Sequence, residues 1–193
     1  MFDREIQIRH GSYLPHWTKE GAIYHVRIRL ADSLPQEKLR EWKEERTDIL
    51  RDAAKQKRKP TKAEQERLEF LYSEKVEELL DTGYGACWLR RDDVASLVAN
   101  TLHFFHENRY RLHAWCIMPN HVHVLVEPIT HALSAILDSW KTFTAREANI
   151  LIKRKGEPFW QREYFDHLMR NQEHAERTSE YILNNPEAAG LKD

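Results

Sequence analysis

Apolar and polar residues alternate along residues 22–30: Tyr24, Val26, Ile28 and Leu30 fall on one side, and His25, Arg27 and Arg29 on the other. That period of two predicts a half-buried strand. From Ser33 the period lengthens. Leu39, Trp42, Arg46, Ile49, Leu50 and Ala53 recur at helical spacing, and Leu68, Leu71, Tyr72, Val76, Leu79 and Leu80 repeat the pattern, with Pro60 between the two sets and Gly83 after the second. Ser33 with Gln36, and Thr61 with Glu64, have the spacing of capping boxes. Residues 34–82 are therefore expected to form an antiparallel helical hairpin. Another helix is predicted from Asp92 or Asp93, carrying Val94, Leu97, Val98, Thr101, Leu102 and Phe105 at core spacing.

Two strand-like stretches follow. In the first, Tyr110, Leu112, Ala114, Cys116 and Met118 alternate with Arg111, His113, Trp115 and Ile117; the second is the β-branched run from His121 to Glu127. Only Pro119 and Asn120 separate them, which predicts a β-hairpin. Thr130 is positioned to cap a helix bearing Leu133, Ile136, Leu137, Trp140 and Phe143, and a basic, aromatic linker leads to a last helix expected to stop before Pro186. Hairpin-connected strands require an antiparallel sheet, and the helices must cover an apolar face of it. The expected fold class is α+β, a ferredoxin-like antiparallel sheet with helices on one face, plus the inserted helical hairpin. Gly83-Tyr84-Gly85 lacks both the third glycine and the preceding strand of a dinucleotide fingerprint and is discarded.

Composition narrows the class further. At 193 residues the chain suits a single domain, with 34–82 as a charged insertion. Hydrophobic residues at 41% and charged residues at 32% exclude a disordered chain, and no apolar run approaches the roughly 20 residues of a spanning helix. The start, MFDREIQIRH, is charged from its third residue and lacks the apolar stretch of a secretory leader, so a cytoplasmic protein is expected. Cys87 and Cys116 form no CxxC pair, which argues against a disulfide framework and a thiolate zinc site. A net charge of -1 gives no global sign of nucleic-acid binding, so any basic surface is local. One local cluster is Lys55, Lys57, Arg58, Lys59 and Lys62 around Pro60, either a solvated turn or a phosphate-contacting tip. The other runs from Trp140 to Arg162: Lys141, Arg146, Lys153, Arg154, Lys155 and Arg162, interleaved with Phe159, Trp160, Tyr164 and Phe165. Cations beside rings suit a single nucleic-acid strand. The competing assignment for Trp160 and Phe165 is the core.

Candidate chemistry begins with His121-Val122-His123. Residues two apart on a strand project from one face, so the two imidazoles are close enough to share an ion. Alone, such a pair also arises by chance in a chain with 11 histidines. Tyr181 and Asn185, four apart on the last helix, stack on one face with Thr178 and His174. Those positions suit either a functional stripe, or a core tyrosine with an asparagine capping the helix before Pro186.

The string Ala114-Trp115-Cys116-Ile117-Met118-Pro119-Asn120-His121-Val122-His123-Val124-Leu125 precedes Phe159-Trp160-Gln161. Then come Asp166-His167 with Arg170, and Tyr181-Ile182-Leu183-Asn184-Asn185-Pro186 with Ala189-Gly190-Leu191. In this order the motifs resemble the single-tyrosine HUH transposases, and within them the REP-associated tyrosine transposases. The match covers the first strand and residues 86–191; residues 34–82 depart from it. The resemblance implies that His121, His123 and Asn185 hold Mg²⁺ or Mn²⁺, that Tyr181 is the nucleophile, and that Asp166 and His167 support or pack. It also implies the activity: cleavage and rejoining of single-stranded DNA near a REP-like hairpin through a 5'-phosphotyrosine. The partner is then hairpin DNA, with a homodimer compatible and no membrane. Two other readings stand beside it. One is a catalytically silent DNA-hairpin-binding or repressor module; the other, a metallohydrolase of small substrates, lacks the further histidine or carboxylate ligands such sites use.

Overall fold

The computed structural model describes residues 7–10, 15–18, 21–72 and 74–190. The side chain of Tyr72, residues 1–6 of the charged start, and Leu191 lie outside the described residues. In chain order the strands are β1 (Gln7–His10), β2 (Pro15–Thr18), β3 (Tyr24–Arg29), β4 (Tyr110–Ile117), β5 (His121–Pro128) and β6 (Phe165–Leu168). The helices are α1 (Gln36–Lys55), α2 (Lys62–Tyr72), α3 (Glu74–Asp81), α4 (Asp92–His103), α5 (Leu133–Leu151) and α6 (Gln172–Ala188). They fall into two compact units, residues 32–86 and the remainder.

The larger unit is built on an antiparallel sheet with strand order β4-β5-β3-β6, the ferredoxin-like arrangement expected from the pattern, while β1 and β2 pair separately. At the β4–β5 turn, Met118 N–H donates to His121 O at 2.9 Å, and Leu30 N–H reaches Asn120 O at 2.8 Å, tying the turn to the end of β3. Period two sends Val122, Val124 and Val126 of β5 to one face, where with Tyr24, Val26 and Ile28 they meet Val94, Val98 and Leu102 of α4 and Ile136, Leu137 and Trp140 of α5. Each such buried aliphatic side chain contributes roughly 1.5–3 kcal/mol. Four polar side chains inside this core are linked in a chain. Trp160 Nε1 donates to Thr144 Oγ1 (2.8 Å), Thr144 Oγ1 to Trp140 O (2.6 Å), Trp140 Nε1 to the Tyr110 hydroxyl (2.9 Å), and that hydroxyl to Leu102 O (2.8 Å).

The one-face arrangement holds for α4 and α5. Helix α6 lies against the opposite face, where Ala175 and Ile182 pack with Ala114, Cys116, Met118 and Leu125. Its presence follows from the alternation of β5, because His121, His123 and Leu125 form a second buried row that also needs cover.

Several local expectations are corrected. Helix α1 starts after Pro35 with no side-chain cap, because the proline at the N-cap carries no side-chain acceptor, and Ser33 is turned inside instead. Thr130 does not cap α5, whose N-cap is Ala132; its hydroxyl donates to Asn108 O at 3.2 Å. Phe143 is 43% exposed rather than core. Helix α6 passes through Pro186 to Ala188, so Asn185 lies inside the helix. The cap that does open α6 is Asn171, whose Oδ1 accepts from His174 N–H at 2.8 Å.

In the smaller unit Leu34, Trp42, Leu71, Val76 and Leu80 form a separate core. The second arm of the hairpin is helical over Lys62–Tyr72 and Glu74–Asp81. The Thr61 capping box forms as expected: Thr61 N–H donates to Glu64 Oε2 (2.7 Å) and Glu64 N–H to Thr61 Oγ1 (3.3 Å). Arg58 joins it through both carboxylate oxygens (2.6 and 2.9 Å), and its guanidinium holds Glu64 down to about 2. Arg67 bridges to Glu45 of α1 at 2.6 Å. Gly85 (φ +93) brings its Cα against the Asp32 carbonyl, where a Cβ would lie 2.6 Å from the oxygen, so the ends of this unit close on a glycine.

The two faces of α5 provide a test. Leu137→Ala is expected to destabilise the chain by about 2–5 kcal/mol. Phe143→Ser is expected to change stability by less than about 0.5 kcal/mol. Urea denaturation of both variants measures the difference; equal losses would contradict the burial pattern.

Candidate active site

His121 and His123 stand on β5, the second strand of the sheet, and both are fully buried beneath α6. Their Nε2 atoms face one another at 2.9 Å. Each ring is held from behind: His121 Nδ1 lies 2.8 Å from Asn120 Oδ1, and His123 Nδ1 lies 2.8 Å from His25 Nε2 on β3. The His25 and His123 rings meet edge to edge across this contact in nearly one plane, with centroids 5.1 Å apart and planes 18° off parallel. From α6, the Asn185 amide nitrogen comes within 3.4 Å of His123 Nε2 and donates to the Tyr181 hydroxyl at 3.0 Å. The Tyr181 ring meets His123 and His25 edge-on, at 5.8 and 6.3 Å between centroids. The helix supplies this pair because positions four apart share a face. Asn185 is buried and the neighbouring Asn184 is exposed, while Tyr181 is 40% exposed at the rim.

The antiparallel register with β5 sets Arg27 opposite His123 and Arg29 opposite His121. Burial, with Arg27 and His25 adding repulsion, lowers His121 to about 3. Burial and then His121, His25 and Arg27 push His123 well below its ordinary range. His25 is lowered to about 3 by burial, then Arg27, His167 and His174, and Arg29 to about 10 by burial and Arg27. At neutral pH the three imidazoles are uncharged, the state in which a ring nitrogen is a metal ligand. Two neutral Nε2 atoms 2.9 Å apart, beside a carboxamide that can present its oxygen, suit a divalent ion that accepts mixed N and O donors. Among the described residues no group of three or more His, Cys, Asp or Glu side chains is placed to hold a metal. An ion here would rely on the amide as its third protein donor.

The expected DNA-contacting residues are scattered. Lys141 and Arg146 lie on α5 rather than in a linker. Lys141 Nζ is held by Arg162 O at 2.5 Å, Arg146 pairs with Glu147 at 2.6 Å, and Arg154 pairs with Glu157. Lys153, Lys155 and Arg162 are exposed in the segment after α5. Trp160 is 9% exposed and hydrogen-bonded in the core network, so of its two expected places the core is the correct one and it offers no stacking face. On β6, the register puts His167 beside His25 on the site face and Asp166 beside Val26 on the core face. His25 and Asn120 escaped sequence reasoning as site residues. The signal for His25 was the polar side of the first strand, meaningful only once β3 is in register with β5, and that for Asn120 its place in the turn just before His121.

A family model for IS200-like transposases matches residues 87–185, from the start of the larger unit's second segment through Asn185. The chain belongs to the IS200-like transposase family. This transposase is also similar in fold to a solved REP-associated tyrosine transposase, described as bound to a REP hairpin, at 13% identity and a TM-score of 0.50, over 94% of this chain and 76% of that one. A second solved structure, a transposase from Deinococcus radiodurans R1, matches at 14% identity and a TM-score of 0.43, over 92% of this chain and 95% of that one. No curated protein sequence matches the chain. Family membership places the transposase among proteins that cut and transfer DNA. Among the described residues no helix is long and apolar enough to cross a membrane.

The low imidazole pKa values predict a pH dependence. The unfolded transposase takes up protons near pH 6.5 that folded His121 and His25 refuse until about pH 3. The stability these rings contribute is therefore complete above pH 6.5 and is lost as pH falls toward 3. Metal-free protein is expected to show a urea midpoint that drops between pH 6.5 and 5, above the carboxylate range, with the His121 ring signals unshifted over that interval. Ordinary titration of His121 near 6.5 would contradict its burial.

Proposed function

We propose that this chain is a metal-dependent DNA strand transferase that cleaves and rejoins single-stranded DNA near a hairpin through Tyr181. The observation that carries the proposal is the Asn185–Tyr181 hydrogen bond of 3.0 Å, which joins a half-exposed phenol to the buried histidine pair. A hydroxyl at the rim of a buried polar cluster has the access a strand's phosphate requires.

Tyr181 acts as the nucleophile: its oxygen bonds to phosphorus while the P–O3' bond breaks, the phenolic proton is lost, and the departing 3' oxygen is protonated. The product is a 5'-phosphotyrosine and a free 3'-OH, and attack by a 3'-OH reverses the step without an external energy source. Asn185 orients the phenol by donating to its oxygen, which favours the ionised form of the nucleophile. His121, His123 and the Asn185 amide would hold Mg²⁺ or Mn²⁺, which supplies Lewis-acid polarisation of the phosphate and offsets transition-state charge. Arg27 and Arg29 add positive potential on the same strand face.

Lys153, Lys155, Arg146 and Arg162, with Lys141 and Arg154 more constrained, contact the phosphate backbone. A hairpin DNA partner is supported by the REP hairpin in the similar solved transposase. One nucleophile per chain means that exchanging two strands needs sequential use or a second copy. The unit spanning 32–86 lies outside the matched family region and serves as an accessory insertion in a cytoplasmic enzyme.

The test is incubation with Mn²⁺ or Mg²⁺ and end-labelled single-stranded oligonucleotides carrying REP-type hairpins, followed by denaturing gels. A covalent adduct is expected with the wild type and none with Tyr181→Phe, while hairpin affinity and folding are retained. His121→Ala is expected to abolish the adduct and weaken metal binding. Hairpin binding with no adduct in either metal would replace the transferase by a silent binding or repressor module.

A further inference from the structure

We propose that His25 is the positioning residue of the histidine pair, exchanging its Nε2 from hydrogen-bond donor to acceptor when an ion replaces the proton held between His121 and His123. This rests on the metal site proposed above and adds what that site requires of a residue outside it.

The hydrogen-bond directions follow from a single fixed end. Asn120 Oδ1, 2.8 Å from His121 Nδ1, can only accept, so His121 carries its proton on Nδ1 and its Nε2 is bare. The 2.9 Å contact between the two Nε2 atoms needs one proton, which must then sit on His123 Nε2. His123 Nδ1 is left bare and receives a hydrogen bond from His25 Nε2 at 2.8 Å. The Asn185 amide, at 3.4 Å, is at the outer limit of hydrogen-bond distance and does not set the direction. Without an ion the line therefore runs His25 to His123 to His121 to Asn120, every ring neutral with one proton.

An ion on both Nε2 atoms demands that both be bare. His121 already complies. His123 must move its proton to Nδ1, where it meets the His25 Nε2–H head-on unless His25 moves its own proton from Nε2 to Nδ1. Each ring loses one proton and gains one through solvent, so the exchange neither takes up nor releases protons overall. A neutral imidazole can donate or accept at the same ring position, and a rotating carboxamide can do so by turning over. A phenyl ring can do neither. The His25 ring is held in place for this task by edge contacts with Phe165 (6.2 Å) and Tyr181 (6.3 Å).

The experiment uses the full chain as wild type, His25→Phe and His25→Gln. Mn²⁺ affinity is measured by electron paramagnetic resonance of the free ion, and histidine tautomers of the metal-free wild type by long-range ¹⁵N–¹H correlation. His123 is expected as the Nε2–H form and His121 as the Nδ1–H form. His25→Phe is expected to weaken Mn²⁺ binding about 10- to 100-fold, the usual effect of losing the group behind a ligating histidine. His25→Gln is expected to recover most of that loss, which a purely packing role would not allow. Unchanged Mn²⁺ affinity in His25→Phe, a glutamine no better than phenylalanine, or metal-free His123 protonated on Nδ1 would each overturn the role of His25 while leaving the metal site standing. Absence of Mn²⁺ binding in the wild type would overturn the metal site, and His25's role with it. Should His25→Phe fail to fold, the glutamine variant and the wild-type tautomers decide the matter.

Discussion

Burying two imidazoles side by side on β5 obliges every polar atom around them to find a partner. A buried donor or acceptor left open costs about 1–3 kcal/mol, and His121 and His123 have four ring nitrogens between them. Asn120, His25 and the facing Nε2 contact satisfy those nitrogens, and Asn185 closes the site from α6. These partners come from the β4–β5 turn, β3 and α6. The site therefore exists only when the turn is tied to the end of β3 by Leu30 N–H on Asn120 O, and when α6 is seated by Ala175 and Ile182. Packing on one face of the sheet and chemistry on the other are consequences of the same two-residue period.

That period is also why so much was legible in the sequence. Strand alternation at 24–30 and 110–118, the two-residue turn at Pro119-Asn120, and the His121-Val122-His123 spacing are local, and local patterns determine which face a side chain takes. The i to i+4 relation of Tyr181 and Asn185 is equally local. The α+β sheet, its β4–β5 hairpin and the family resemblance all followed from such features. His25 was not recognised as part of the site because its role depends on a partner 98 residues away in the chain; only the β3–β5 register joins them.

The misplaced details share one cause. Ser33, Thr130 and Asn185 are residue types that favour helix ends, but each side chain has a competing partner or place: the interior for Ser33, Asn108 O for Thr130, and the histidine pair for Asn185. Propensity at a single position is worth about 1 kcal/mol, so tertiary burial and hydrogen bonding readily override it. Trp160 shows the converse. Its neighbours are basic and suggest a nucleic-acid surface, yet its indole N–H completes a buried chain through Thr144, Trp140 and Tyr110.

The uneven burial of the site has a chemical logic. His121, His123 and Asn185 are sealed and Tyr181 is not. The proposed ligand positions would benefit from a dry environment, because low dielectric keeps the imidazoles neutral and would strengthen their hold on a cation. The proposed nucleophile would need the reverse, a surface that a nucleotide backbone can reach without unfolding anything. Placing both on one helix face, one turn apart, lets Asn185 look inward to His123 and sideways to the phenol. The buried and exposed halves of the site are thus coupled by one carboxamide, and displacing α6 by a single residue would separate them.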